Sequence, residues 1–214
     1  MEHDMTRPAL ARLAPYIAAM AVIVILSNIL VQYPFKPFGL GELLTWGAFT
    51  YPFAFLANDL ANRRFGMTAA RIVVATGFVI AVILSVWLAT PRIAIASGTA
   101  FAVAQILDLL IFDRMRSLAW WKAPLISSIV ASAIDTVLFF RLAFAPAFAG
   151  IDGWFGMEDG SLGFPVTMFG YDMPLWVSLA VGDFLVKVLI GFIALLPYAG
   201  LLRLTAPKPA ANQG

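Results

Sequence analysis

The sequence predicts an all-α membrane protein of six transmembrane helices, and two features of the whole chain carry that expectation. Of 214 residues, 62% are hydrophobic and only 12% are charged, roughly half the charge of an ordinary soluble domain. So few charges cannot cover a water-facing globule of this size, and disorder needs the opposite balance of low hydrophobicity and high net charge. The second feature is arrangement. The apolar residues fall into six blocks, with most of the basic residues gathered between them.

A helix rises about 1.5 Å per residue, so about 20 largely apolar residues cross a hydrocarbon core about 30 Å thick. The predicted spans are residues 13–33, 43–60, 72–90, 93–112, 121–144 and 175–202. The first is followed by Gln32 and Pro34 without a small-residue cleavage site, so it reads as a retained helix and not as a signal peptide. The second closes on Asn58 and Asp59. The third is followed closely by the fourth, which carries Gln105 and Asp108. The fifth begins beside Trp120 and Trp121, an aromatic pair suited to the membrane interface. The sixth contains Asp183 and Lys187. Residues 1–205 therefore form one transmembrane domain, and residues 206–214 read as a disordered tail.

Basic loops stay cytoplasmic, and here they agree on one side. Arg7 and Arg12 precede the first span; Arg63, Arg64 and Arg71 separate the second from the third. Arg114, Arg116 and Lys122 separate the fourth from the fifth, and Arg203 and Lys208 follow the sixth. With six spans these ten residues share a face, both termini are cytoplasmic, and Lys36, Arg92 and Arg141 fall opposite. The connection 145–173 then faces outward. It holds Asp152, Glu158, Asp159 and Asp172 and no basic residue, and it reads either as a lid over a substrate path or as a surface insertion with interfacial Trp154 and Phe155.

Several classes of chemistry are closed. Without Cys, and with His3 as the single histidine, there is no thiolate zinc site, cysteine nucleophile or histidine triad. A net charge of +2 gives no footprint for nucleic acid. No metal or cofactor is expected. Phosphate-binding G-x-x-x-x-G-K-[ST] is absent from the sequence.

What remains is charge inside the membrane, where a carboxylate costs about 2.5–3.5 kcal/mol on insertion scales and is a functional candidate by default. Gln105 and Asp108 share a helix face at i, i+3, and Ser128, Ser132 and Asp135 form one stripe at i, i+4, i+7. Asp183 and Lys187, and Asn28 and Gln32, stand at i, i+4. Asp135 lies roughly 20 Å from the cytoplasmic end of its helix, so the polar residues trace a column through the bilayer. Plainer readings stay open beside this one. Asp183 and Lys187 can neutralise each other, Asp59 can pair with Arg63, Asp108 with Arg114 or Arg116, and the serines can serve helix packing. Asp135 has no basic neighbour one turn away and needs a partner from another helix, a proton or a substrate. Thr50 precedes Asp59-Leu60 by the same interval as Thr99 precedes Asp108-Leu109, an echo that a repeat of helical hairpins would produce.

The string Thr50-Tyr-Pro-Phe-Ala-Phe-Leu-Ala-Asn-Asp59-Leu, followed by Arg63 and Phe65-Gly66, resembles the second-helix signature of the queuosine precursor transporter family, six-helix proteins of the bacterial inner membrane. Further matches follow in order: Arg92-Ile-Ala-Ile-Ala-Ser97 into Gln105-Ile-Leu-Asp108 and Phe112; Trp120-Trp121 and Ala123-Pro124 leading to Asp135-Thr136; Asp183-Phe184, Lys187-Val-Leu-Ile190 and Leu196-Pro197. The resemblance spans roughly residues 15–202, while the acidic outer loop is larger than is usual in the family. It implies uptake of the 7-deazaguanine bases preQ0 and preQ1. A guanine-like edge offers adjacent N–H donors to one carboxylate, amides complement its carbonyl, and aromatic rings stack on its faces. Asp135, Asp108 and Gln105 are the first candidates for the ligand, with Asn28, Asp183 and Asp59 beside them and Lys187 holding Asp183 ionised.

Two rivals come from other classes. The chain can be the substrate-binding subunit of an energised vitamin or nucleobase importer, docking its energising partner, or a second copy of itself, through small residues such as Ala14 and Ala18. An intramembrane aspartyl protease would need two carboxylates sharing a proton, and Asp172 and Asp183 only superficially resemble its paired motifs.

Overall fold

The computed structural model describes residues 7–50, 52–88 and 90–205, so the tail 206–214 lies outside the described residues. The elements are α1 (Arg7–Leu30), a 3-10 turn (Pro37–Glu42), α2 (Gly47–Thr50), α3 (Pro52–Phe65), α4 (Met67–Leu88), α5 (Pro91–Met115) and α6 (Lys122–Phe144). A second 3-10 turn (Pro146–Phe148), α7 (Gly150–Trp154), strands β1 (Pro165–Met168) and β2 (Tyr171–Pro174), and α8 (Leu175–Thr205) follow.

Local chemistry sets the boundaries. Pro52 opens α3, where a missing N–H costs nothing, and Gly66 closes it with a left-handed φ of 86° that favours glycine. Thr90 caps α5 by accepting the Ile93 N–H at 3.3 Å, with Pro91 following as the first helical residue. The predicted second span, 43–60, differs most from what is observed. Helix covers Gly47–Thr50 and Pro52–Phe65, with residue 51 outside the described residues, so it begins later than predicted and runs on through Asn62, Arg63 and Arg64.

Among the described residues four helices are long and apolar enough to cross a membrane, over Met67–Leu84, Pro91–Met115, Lys122–Phe144 and Leu175–Leu196, and α1 adds the shorter apolar run Arg12–Ser27. Their polarity is turned inside out relative to a soluble bundle. On α8, Leu185, Leu189, Phe192, Ile193 and Leu196 face outward while Asp183 and Lys187 are buried, as a hydrocarbon solvent demands. α3 runs through the middle, touching α1, α4, α5, α6 and α8. Its Ala54, Ala57 and Ala61 enter a core with Met20, Val24, Val73 and Phe101, small residues that allow helices to approach closely.

The predicted outer loop is folded. Phe169 and Gly170 both take positive φ, the turn that matches hairpin twist, and β1 pairs antiparallel with β2. This small hairpin is an addition to the all-α expectation. Arg92, 1% exposed, anchors the connection from the start of α5. Its guanidinium donates to the Leu142 carbonyl at 2.9 Å, the Ala145 carbonyl at 2.5 Å, Asp152 Oδ2 at 2.8 Å and Ser161 Oγ at 3.0 Å. A fork of five donors satisfied by the loop's own oxygens fixes the loop's path.

Candidate functional site

The buried polar residues separate into two groups. The first lies between α6 and α8, where the Lys187 ammonium donates to Asp135 Oδ2 at 2.8 Å and Thr136 Oγ1 at 3.2 Å and forms an ion pair with Asp183. Thr136 in turn donates to Asp183 Oδ2 at 2.8 Å. The helical Asp183–Lys187 pair is thus present, and Asp135 finds its partner on another helix. An ammonium has three N–H groups, and here they meet three oxygens in a buried setting.

The second group lies between α3 and α5. Asn58 donates to Asp108 Oδ2 at 3.0 Å, Ser127 lies within reach of Asp108, and Asp59 sits carboxyl to carboxyl against Asp108. Beyond these contacts the group is open. Asn58 Oδ1, both Asp59 oxygens, both polar atoms of Asn62, both of Gln105, and Asp108 Oδ1 are buried without a hydrogen-bond partner among the described residues. Those are eight of the ten such atoms found, so the deficit is local. An unmade buried hydrogen bond costs about 1–3 kcal/mol, and native proteins leave few. The concentration sets this group apart from the rest of the described interior.

Several sequence readings are resolved here. Arg63 acts on Asp59 through its charge, while its guanidinium also donates to the Trp120 carbonyl at 3.2 Å and lies 5.6 Å over the Phe112 ring. Arg116 bonds Asp113 at 3.4 Å, leaving Asp108 to Asn58. Asn28 lies in α1, but its side chain is outside the described residues; Gln32 donates to the Leu88 carbonyl at 2.8 Å. The Thr50 and Thr99 echo does not extend to their surroundings, since Thr50 bonds Ser27 at 2.9 Å while Thr99 is exposed. Asp172 bonds Thr167 in the exposed hairpin, remote in role from buried Asp183, which removes the geometry a protease dyad needs. Asn62 was not singled out in the sequence, although its i, i+4 spacing from Asn58 was a readable signal.

Two small, partly open cavities adjoin these groups. One is lined by Ser27, Gly47, Ser97, Asp135, Asp183 and Lys187 among others. The other is lined by Pro52, Asp59, Ser128, Ser132, Lys187 and Gly191 among others. The Ser128, Ser132, Asp135 stripe thus faces interior space along its whole length.

Apolar helices facing outward, with charge and cavities enclosed between them, define a polytopic membrane protein of transporter type. The family described as "Putative vitamin uptake transporter" matches residues 45–90 and 85–202. The chain is 34% identical over 197 residues to the "Queuosine precursor transporter" of Escherichia coli (strain K12), covering 82% of this chain and 79% of that one. It is 32% identical over 211 residues to the "Probable queuosine precursor transporter" of Haemophilus influenzae, covering 84% and 81%. No solved structure matches significantly. The chain belongs to the queuosine precursor transporter family.

Proposed function

We propose that this protein imports queuosine precursors, 7-deazaguanine bases, across the bacterial inner membrane. It does so as a six-span protein with both termini in the cytoplasm, α1 and α3 completing the four long helices. The observation that carries the substrate class is the imbalance in the α3–α5 group. Its unpartnered atoms comprise six acceptors, namely Asn58 Oδ1, Asp59 Oδ1 and Oδ2, Asn62 Oδ1, Gln105 Oε1 and Asp108 Oδ1, against two amide nitrogens. Such a surface selects a ligand rich in N–H groups with one carbonyl to offer in return. A guanine-like ring meets that description: Asp59 accepts from its lactam N–H and exocyclic amine together, and an amide nitrogen of Gln105 or Asn62 donates to its carbonyl. Asp108, fixed by Asn58, faces the remaining donors.

Asp135, Asp183 and Lys187 are assigned to the path and not to first recognition of the base, because their bonds are already made within the protein. Expression in bacteria unable to make the precursor should restore queuosine to tRNA at low external preQ0 or preQ1. Protein present in the membrane with no uptake above vector would overturn the assignment.

A further inference from the structure

Among the described residues Lys187 is common to the linings of both cavities, and three segments sort the same way around it. On α6, Asp135 and Phe139 line the first cavity, whereas Pro124, Ser128 and Ser132 line the second. On α8, Asp183 lines the first and Gly191 and Ala194 the second. Gly47 of α2 lines the first, Pro52, Phe55 and Asp59 of α3 the second. The cavities are therefore stacked along the helices. The first lies toward the end that carries the 145–174 connection, the second toward the end that carries Arg63, Arg64 and Arg114, and Lys187 stands at their junction.

We propose that Lys187, held by Asp135 and Asp183, is the barrier of the transport path, and that it opens by exchange of partners. This rests on the transport reading above. The two ion pairs differ in kind: Asp183–Lys187 is within α8, whereas Asp135–Lys187 ties α8 to α6. If α6 and α8 part, Lys187 keeps Asp183 and is never left as an unpaired buried cation, the state that would be costly. Asp135 gives up the ammonium, and Thr136 its bonds to Lys187 and Asp183. Asp135 Oδ2 then faces the path, and an N–H group of the passing base can take the place of the ammonium on it. Substrate thereby offsets the cost of breaking the interhelical bond, and without substrate the bond reforms. Asp135 and Asp59 would be successive acceptors for the same donor edge, one on each side of the barrier.

The chain has no cysteine, so single thiols report accessibility without background. Ser97→Cys places one in the first cavity and Ser128→Cys one in the second. In sealed vesicles a membrane-impermeant maleimide applied at the face of the 145–174 connection should modify the Ser97→Cys thiol at least about tenfold faster than the Ser128→Cys thiol, since a minor open state is populated at roughly 10% or less. From the opposite face the order should reverse. Adding Lys187→Ala should reduce the difference to about twofold or less. Because that change strands two buried acids, the same pair is also tested with Asp135→Asn and Asp183→Asn added to it, while Lys187→Arg should preserve the difference. Equal labelling from one face with Lys187 intact, failure of the Ser128→Cys thiol to react from either face, or an unchanged pattern without Lys187 in both backgrounds would overturn the barrier. Labelling needs no substrate, so its failure is distinguishable from a failure of uptake.

Discussion

The α6–α8 group and the α3–α5 group are both buried and both rich in carboxylates, yet one is closed and the other open. Lys187, Thr136, Asp135 and Asp183 exchange hydrogen bonds among themselves. Asn58, Asp59, Asn62, Gln105 and Asp108 share the bond from Asn58 to Asp108 and leave eight atoms without a donor or acceptor among the described residues. Burial alone therefore does not identify a binding site. A charge that is paired internally holds helices together; a polar group held dry without a partner costs free energy in the empty state, and that cost is recovered when a complementary ligand arrives.

The contrast is sharpest in how each group should respond to loss of charge. Lys187→Met leaves Asp135 and Asp183 buried together without a cation and should destabilise the protein by about 3–5 kcal/mol, as breaking buried pairs does. Denaturant unfolding in detergent measures it, and adding Asp135→Asn and Asp183→Asn should recover most of the loss. Full stability of the single variant would show that the closed group is not structural. Asp59→Asn should behave in the opposite manner. It replaces a carboxyl crowded against Asp108 by a neutral amide, so stability should hold or rise, while uptake falls about a hundredfold, because a hydrogen bond to a charged group is worth about 1.5–3 kcal/mol. A variant that loses stability and keeps uptake would reverse the roles of the two groups.

The smallest effect belongs to the 145–174 connection, which pairs its charges in the manner of the closed group but with Asp159 exposed. Hydrogen bonds from Ser161, and then the charge of Arg92, hold exposed Asp159 below the usual carboxylate range. A depressed carboxylate contributes stability above its unfolded pKa, about 3.9, and loses it as pH falls through the folded value. Asp159→Asn should therefore lower the melting temperature slightly near neutral pH, and the gap should close below about pH 4. A gap that persists in acid would mean that Asp159 acts by packing and not by charge.

Much of this was legible in the sequence where the signal was local. Helices α4, α5, α6 and α8 lie close to their predicted positions, because a long apolar run is a property of consecutive residues. The Asp183–Lys187 pair was readable for the same reason, being one turn apart. The bounds of the second span were harder, since the run 43–60 passes a hydropathy test while α3 runs on to Phe65 with its polar second half buried beside other helices. The hairpin was missed because its turn is Phe169-Gly170 and not the Asn-Gly or Asp-Gly that announces such turns. Among the candidate residues, Asp135 needed a partner from another helix, a proton or a substrate, and the structure supplies a lysine 52 positions away. Asp59 feels the charge of Arg63, one turn on as the spacing suggested, but its crowding against Asp108 across two helices was not readable.

The sequence by itself determined that this chain lives in a membrane, where its long helices run and which few carboxylates enter the apolar interior. Hydrophobicity, length and spacing along one helix are sufficient for that. Which of those carboxylates are already satisfied was decided only by the tertiary structure. A hydrogen bond between two helices depends on a few ångströms of separation and on the rotation of each helix about its axis, and neither quantity is encoded in the periodicity of either helix alone.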